Sequence, residues 1–383
     1  MKKVLFVATV VKTHIMQFHI PYLHMLKDMG WATAVAARND YDDPADCRIP
    51  DCDQFFPLPF ERFPLHPGNW KAYRELKRII DAEEFDMIHC HTPVGAALTR
   101  LAARKARKKG TKVLYTAHGF HFFRGAPFFQ RIFSYLSERI LSAYTDVLIT
   151  INQEDYAIAQ TFPAKRVEYV PGVGIDLRRF AFVRQEKDRF RTDLGLGADD
   201  FVLLTVGELI PRKNQTLVLE ALGELSRQGK LTNLRYVICG QGTMAKKLQE
   251  QAAALDLQDR VVFLGYRRDM DRIYGAADAF VFMSLQEGLP IALTEAMASG
   301  LPCICSDVRG NRDLIRSEES GLMVPFSPQA VADAILRLKD DSQLCKKLGV
   351  AAAAAAQAYD LPAILARMKG IYLSVTEAEQ PNE

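Results

Sequence analysis

Short apolar runs alternate with amphipathic stretches along nearly the whole chain. Val4–Val10, Thr33–Ala37, Met87–Cys90, Val113–Ala117, Val147–Ile151 and Val167–Val170 have the length and continuity of strands buried on both faces of a parallel sheet. Between them, Phe18–Met29, Trp70–Asp81, Ala96–Lys108 and Phe128–Tyr144 carry apolar residues at helical spacing. The pattern then restarts, with strands at Phe201–Val206, Leu234–Cys239, Val261–Leu264, Ala279–Met283 and Cys303–Ser306. Their helices are Leu217–Gln228, Met244–Leu255, Leu293–Ser299 and Ala330–Lys339. This βα alternation predicts two α/β domains, each a parallel sheet covered by helices. The Gly- and Pro-containing segment Pro171–Asp176 reads as the linker. The Ala-rich stretch Leu344–Ala358 is helical on propensity, and Ala363–Leu373, after Pro362, reads as one further helix.

Open parallel sheets take ligands beyond the carboxyl ends of their strands, so chemistry is expected on the loops that follow strands. The richest such loop follows Ala279–Met283. There Glu287, Gly288, Leu289 and Pro290 precede a helix from Ile291 that carries Glu295. A helix N-terminus offers free N–H groups and a positive dipole end to a diphosphate. Glu287 can reach a sugar hydroxyl and Glu295 a ribose hydroxyl, although either Glu taken alone is an ordinary cap or surface carboxylate. After Phe201–Val206 come Gly207 and the adjacent cations Arg212 and Lys213, suited to the charge on a departing diphosphate. In the first half His118-Gly119 closes a strand.

Gly240-x-Gly242-x-x-Ala245 matches a dinucleotide fingerprint, but that motif needs an acidic residue at the end of the next strand. Here Asp259 precedes the strand, so a nicotinamide cofactor is not expected. His89 and His91 share one strand face, yet no Cys or His pair at zinc spacing accompanies them, so no metal and no other cofactor are expected. A nucleophilic-serine elbow and a phosphate-binding P-loop are both missing.

Composition narrows the class. At 383 residues, with 49% hydrophobic and 25% charged, the chain is long enough for two cores and is not of disordered type. Seven Cys, an odd number without a C-x-x-C pair, read as reduced thiols of a cytoplasmic protein. The apolar start at Val4–Val10 has the length of a strand, and no run reaches a membrane span, so any membrane contact is expected to be peripheral, at the inner face of the cell membrane. The net charge of +3 is small, and no nucleic-acid partner is expected. Residues 1–180 carry 25 Lys and Arg against 19 Asp and Glu, whereas the remainder is net acidic. The basic run from Arg100 to Lys109, followed by Phe122, Phe123, Arg124, Phe128, Phe129, Phe133 and Tyr135, suits either an anionic bilayer surface or a solvated helix end beside core aromatics.

The Glu-x7-Glu segment from Glu287 to Glu295, inside E-G-L-P-I-A-L-T-E-A-M-A-S-G, resembles the retaining glycosyltransferases of family 4. The order of His118-Gly119, Pro171–Asp176, Gly207 with Arg212-Lys213, and Gly240-x-Gly242 agrees with it over nearly the whole chain. The resemblance implies the GT-B fold, two Rossmann-like domains facing across a cleft. Residues 1–172 would form the acceptor-side domain, with the C-terminal segment 363–383 packed back on it, and residues 173–362 the nucleotide-sugar domain. It implies Arg212 and Lys213 on the donor diphosphate and Glu287 on the donor sugar. Backbone amides of Gly288 to Ile291 would lie near sugar and phosphate, with Glu295 on the ribose, Leu264, Gly265 and Tyr266 beside the base, and His118 near the reacting carbon. The loop after the first strand, where family members carry a glycine pair, has none here. Thr13 and His14, with Gly119, Phe120 and His121, are its acceptor-side candidates.

The expected activity is therefore transfer of a hexose or N-acetylhexosamine from a nucleotide diphosphate sugar, UDP above others, to a glycan or polyprenyl-linked acceptor. Retention at the anomeric carbon is implied, in the manner of bacterial exopolysaccharide and other surface-polysaccharide enzymes, without a divalent ion. A nucleotide-sugar epimerase or hydrolase of the same fold, or a non-catalytic sugar-nucleotide-binding protein, are the alternatives.

Overall fold

A computed structural model describes residues 1–123, 125–181 and 183–377. The chain divides into two compact units, Met1–Val173 with the segment from Pro362, and Gly174–Leu361. The first unit holds seven parallel strands in the order β3-β2-β1-β4-β5-β6-β7. They are β1 (Lys3–Val10), β2 (Ala32–Arg38), β3 (Gln54–Pro57), β4 (Met87–His91), β5 (Lys112–Ala117), β6 (Val147–Thr150) and β7 (Arg166–Tyr169). β1, buried from Val4 to Val10 and apolar there except at Thr9, lies between β2 and the central β4, with Val4 beside Met87 of β4 and Thr33 of β2. Apolar side chains of the sheet divide between two cores. One holds Leu5, Val7, Ile88 and Val113 under the helix Gly68–Glu83. The other holds Val4, Phe6, Met87 and Leu114 under the helices Ile20–Asp28 and Leu361–Thr376. Ile364, Met368, Ile371 and Tyr372 of that last helix are buried in the second core.

The second unit has six parallel strands in the order β10-β9-β8-β11-β12-β13. They are β8 (Phe201–Val206), β9 (Leu234–Cys239), β10 (Val261–Gly265), β11 (Ala279–Phe282), β12 (Cys303–Ser306) and β13 (Leu322–Val324). Helices Gln215–Arg227 and Pro328–Asp340 cover one face, and Ile291–Ala298 and Met270–Ala276 the other. In both sheets the order reverses beside the first strand of the unit, between β1 and β4 and between β8 and β11. That reversal opens a crevice at the carboxyl ends of the strands, the usual ligand position in such sheets.

The basic run of the first unit is split by packing. Arg100 is fully buried, with Nη1 2.9 Å from Glu138 Oε2 and its guanidinium 4.2 Å above the Tyr115 ring. Arg107 forks onto Asp146, with Nε and Nη2 each 2.9 Å from a carboxylate oxygen. Only Arg104, Lys105, Lys108 and Lys109 of the run are exposed. The aromatics split as well. Phe122 is buried, whereas Phe128, Phe129 and Phe133 stand exposed on the helix Phe128–Ser142. Arg124 lies outside the described residues, as do residues 378–383.

Candidate active site

The crevice of the second unit is built by the loops after β8 and β11. Pro211–Lys213 forms one tight turn, closed by Asn214 in a left-handed conformation, and sets Arg212 and Lys213 side by side. Glu287, buried on the loop after β11, receives both. Its Oε1 accepts from Arg212 Nη1 at 2.9 Å, from Lys213 Nζ at 2.6 Å and from Ser284 Oγ at 2.7 Å. Arg212 Nη1 also donates to the Gln286 carbonyl at 2.8 Å, and Lys213 Nζ lies 4.7 Å from the centre of the Phe282 ring. Charge-assisted bonds of this kind hold geometry tightly, and two cations on one carboxylate leave surplus positive charge. The arrangement can hold an anion.

The helix Ile291–Ala298 starts directly after Pro290 with no side-chain cap, so its first-turn N–H groups have no partner within the helix. Its entry loop is braced by the segment after β12. Arg309 Nε donates to the Glu287 carbonyl at 3.3 Å, and Gly310 packs so closely that a Cβ there would lie 2.2 Å from the Gly288 carbonyl oxygen. Glu295 follows on the helix, with Oε2 3.0 Å from the Tyr274 hydroxyl. Burial lifts the Glu295 carboxyl to about 7, against the opposing pull of Tyr274 and Arg179. Leu264 and Gly265 end β10, and Tyr266 beyond them is 60% exposed. Gly240 and Gly242 are required by close backbone approach: a Cβ would fall 1.9 Å from the Gly207 oxygen and 2.4 Å from the Leu209 oxygen respectively. They interlock the ends of β8 and β9.

The crevice of the first unit is of another kind. His91 ends β4, His118 follows β5, His14 lies in the wide π-helical turn Val11–Ile15 after β1, and His19 precedes the helix Ile20–Asp28. His91 Nδ1 and His118 Nε2 are 3.3 Å apart, and the His19 and His91 rings lie 3.8 Å centre to centre. Burial pushes His118 down to about 4 and holds His14, His19 and His91 well below the usual imidazole range, so the group is neutral at pH 7. His89 is turned to other partners, Tyr372 Oη at 2.9 Å and Thr116 Oγ1 at 2.8 Å.

Among the expected residues, Arg212, Lys213 and Glu287 are thus in direct contact. Gly288 to Ile291 and Glu295 continue the same loop and helix, and His14 lies beside His118, with ring centres 5.0 Å apart. Thr13 is tied to Asp40 through Oγ1 at 3.2 Å. Gly119 has a left-handed φ of 130°, His121 is exposed, and the Phe120 ring is buried against Phe122. Sequence reasoning missed Ser284, Tyr274 and His19. The first two are uncharged hydroxyl residues without a motif, and His19 stands outside any strand end. Three Asp-x-Asp triplets, a common metal-binding pattern, occur at 40–42, 51–53 and 269–271. Their carboxylates are engaged within the fold: Asp40 by Thr13, Asp53 by Lys27, Asp269 by Arg267.

Two doubly wound parallel-sheet units in one chain fit the GT-B glycosyltransferase fold class. The profile "Glycosyl transferases group 1" matches residues 186–355, and "Glycosyl transferase 4-like domain" matches residues 22–172. The chain is 42% identical to EpsD of Bacillus subtilis (strain 168), whose glycosyltransferase name is itself provisional, over 91% of this chain and 90% of that one. It is 31% identical to an Escherichia coli UDP-Gal:alpha-D-GlcNAc-diphosphoundecaprenol alpha-1,3-galactosyltransferase, over 72% and 71%. The fold is that of Anabaena HepE, solved with UDP and glucose, at a TM-score of 0.79 and 19% identity over 98% of this chain and 100% of that one. This chain belongs to the family 4-type glycosyltransferases.

Proposed function

We propose that the protein transfers a hexosyl or N-acetylhexosaminyl group from a UDP-sugar to a polyprenyl-linked glycan acceptor, with retention at the anomeric carbon, in bacterial surface-polysaccharide assembly. The observation that carries this reading is the convergence of Arg212, Lys213 and Ser284 on Glu287 beside an uncapped helix N-terminus. Arg212, Lys213 and the helix amides take the diphosphate, so its charge is met without a divalent ion. Glu287 and the amides of Gly288 to Ile291 hold the sugar, Glu295 the ribose, and Leu264 to Tyr266 the base. The Glu287 carboxylate, paired with two cations and bonded at Oε1 by three donors, is a weakened nucleophile. This favours departure and attack on the same face of the sugar over a covalent intermediate. His118, neutral and beside His14, is the acceptor-side group. The names of the Escherichia coli relative and of the HepE complex support UDP as carrier and a lipid diphosphate as acceptor. A panel of UDP-, GDP- and ADP-sugars tests it by thermal stabilisation. Selective stabilisation by a UDP-sugar, and its turnover only when a polyprenyl-diphosphate glycan is added, is the expected result. Turnover without acceptor would make the protein an epimerase or hydrolase.

The acceptor reading places the enzyme in the cytoplasm at an anionic membrane surface. No helix among the described residues is long and apolar enough to cross a membrane. The helix Phe128–Ser142 instead exposes Phe128, Phe129, Ile132, Phe133, Leu136 and Ile140, spaced to fall on one face. An apolar stripe of this kind, with Arg131 also exposed, suits burial in a bilayer interface. Sedimentation with anionic vesicles that is lost in Phe129→Ser/Phe133→Ser supports this, and no sedimentation at low salt contradicts it.

A further inference from the structure

We infer that His14, His19, His91 and His118 form a site for one divalent transition-metal cation of the zinc class. This stands independently of the donor reading, and it assigns His14 and His118 to the ion in place of direct contact with an acceptor. One nitrogen from each imidazole falls within 4.8 Å of the others. Four ring nitrogens, His14 Nε2, both of His19 and His91 Nε2, are buried without a hydrogen-bond partner. Orphaned buried polar atoms are rare in folded proteins, and their concentration in one place marks a missing ligand. His91 Nδ1 and His118 Nε2 are hydrogen-bonded at 3.3 Å, which fixes the two rings side by side and leaves His91 Nε2 as the unpartnered atom.

Three of the four imidazoles, His19, His91 and His118, also line a cavity of about 10 Å³, room for the centre of a single water-sized particle. The donor set selects the ion. Neutral imidazoles favour zinc, copper, nickel or iron over magnesium and calcium, which demand oxygen. His89, with both nitrogens bonded to Tyr372 and Thr116, stands outside the set and braces the wall of the cavity. An ion here would pin the turn after β1 to the ends of β4 and β5. Spacing along the chain could not reveal this site, because its ligands come from three separate segments, after β1, at the end of β4 and after β5.

The test uses the full chain, freed of any affinity tag and stripped with chelator, then titrated with Co²⁺ and Zn²⁺. The expected result is one equivalent bound per chain, visible ligand-field bands for Co²⁺, and a rise in melting temperature with Zn²⁺ but none with Mg²⁺. His14→Ala and His19→Ala, each checked for native circular dichroism, should weaken binding at least tenfold, whereas His24→Ala and His66→Ala at the surface should not. His14→Gln provides a second variant should His19→Ala fail to fold. Absence of saturable binding, equal affinity in the folded cluster variants, or a thiolate-to-cobalt charge-transfer band that assigns the ion to cysteine would overturn the proposal.

Discussion

The two strand-order reversals of this protein share a topology and differ in electrostatics. At the β8–β11 crevice, charges meet: two cations share one buried carboxylate oxygen next to a helix N-terminus. At the β1–β4 crevice the same positions carry imidazoles held neutral by burial. All eight histidines of the chain lie before Phe122, and none in the second unit. One backbone plan therefore yields a crevice lined by charges and another lined by neutral imidazoles, according to the residues placed at the strand ends. The difference teaches that fold determines where a ligand goes and the strand-end side chains determine which kind.

The largest effect expected from breaking this contrast is at Glu287. Glu287→Gln keeps an acceptor for Ser284 but removes the charge that organises Arg212 and Lys213, and should lower kcat by about 10²–10³-fold. Steady-state kinetics with a UDP-sugar checks it, and a fall of under threefold would separate Glu287 from the chemistry. Next, the first unit has its own ion cluster, Asp146 with Arg107 and Lys165. Asp146→Ala leaves Arg107 unpaired and should cost about 3–5 kcal/mol in urea unfolding while leaving UDP affinity unchanged.

A smaller effect separates stability from binding at Glu295. Its carboxyl titrates at about 7 when folded and near the ordinary value of about 4.3 when unfolded, so between these pH values only the folded state holds the proton. Stability from this group should fall as pH rises through that window, whereas UDP affinity should rise as the carboxylate forms to accept from ribose. Glu295→Gln should flatten both profiles, measured by melting temperature and calorimetry from pH 5 to 8, and parallel rather than opposite trends in the wild type would contradict the assignment. Smallest of all, Phe129→Ser/Phe133→Ser on the exposed helix face should change unfolding free energy by no more than about 0.5 kcal/mol per site while reducing vesicle binding.

Much of this was readable along the chain. Buried strands such as Phe201–Val206, Leu234–Cys239 and Cys303–Ser306 coincide with β8, β9 and β12, because continuous apolar runs have few alternatives in a parallel sheet. The edge strands Gln54–Pro57 and Leu322–Val324 were not, being short and only partly buried. Arg212, Lys213 and Glu287 could be picked out because each follows a strand end, but their meeting on one oxygen depends on β8 and β11 being neighbours, which chain order conceals. The histidine cluster was hidden for the same reason, since β1, β4 and β5 bring together residues as far apart as His14 and His118. Packing also reassigned Arg100 and Arg107, whose positions in a basic run gave no sign of Glu138 and Asp146.

The central claim is that the charged crevice of the second unit receives the donor diphosphate. Calorimetric titration of UDP into the wild type and into Arg212→Ala/Lys213→Ala tests it most directly. The account predicts that the double variant keeps its melting temperature within a few degrees and binds UDP at least 100-fold more weakly, about 2.8 kcal/mol. Equal UDP affinity in the two proteins would contradict it.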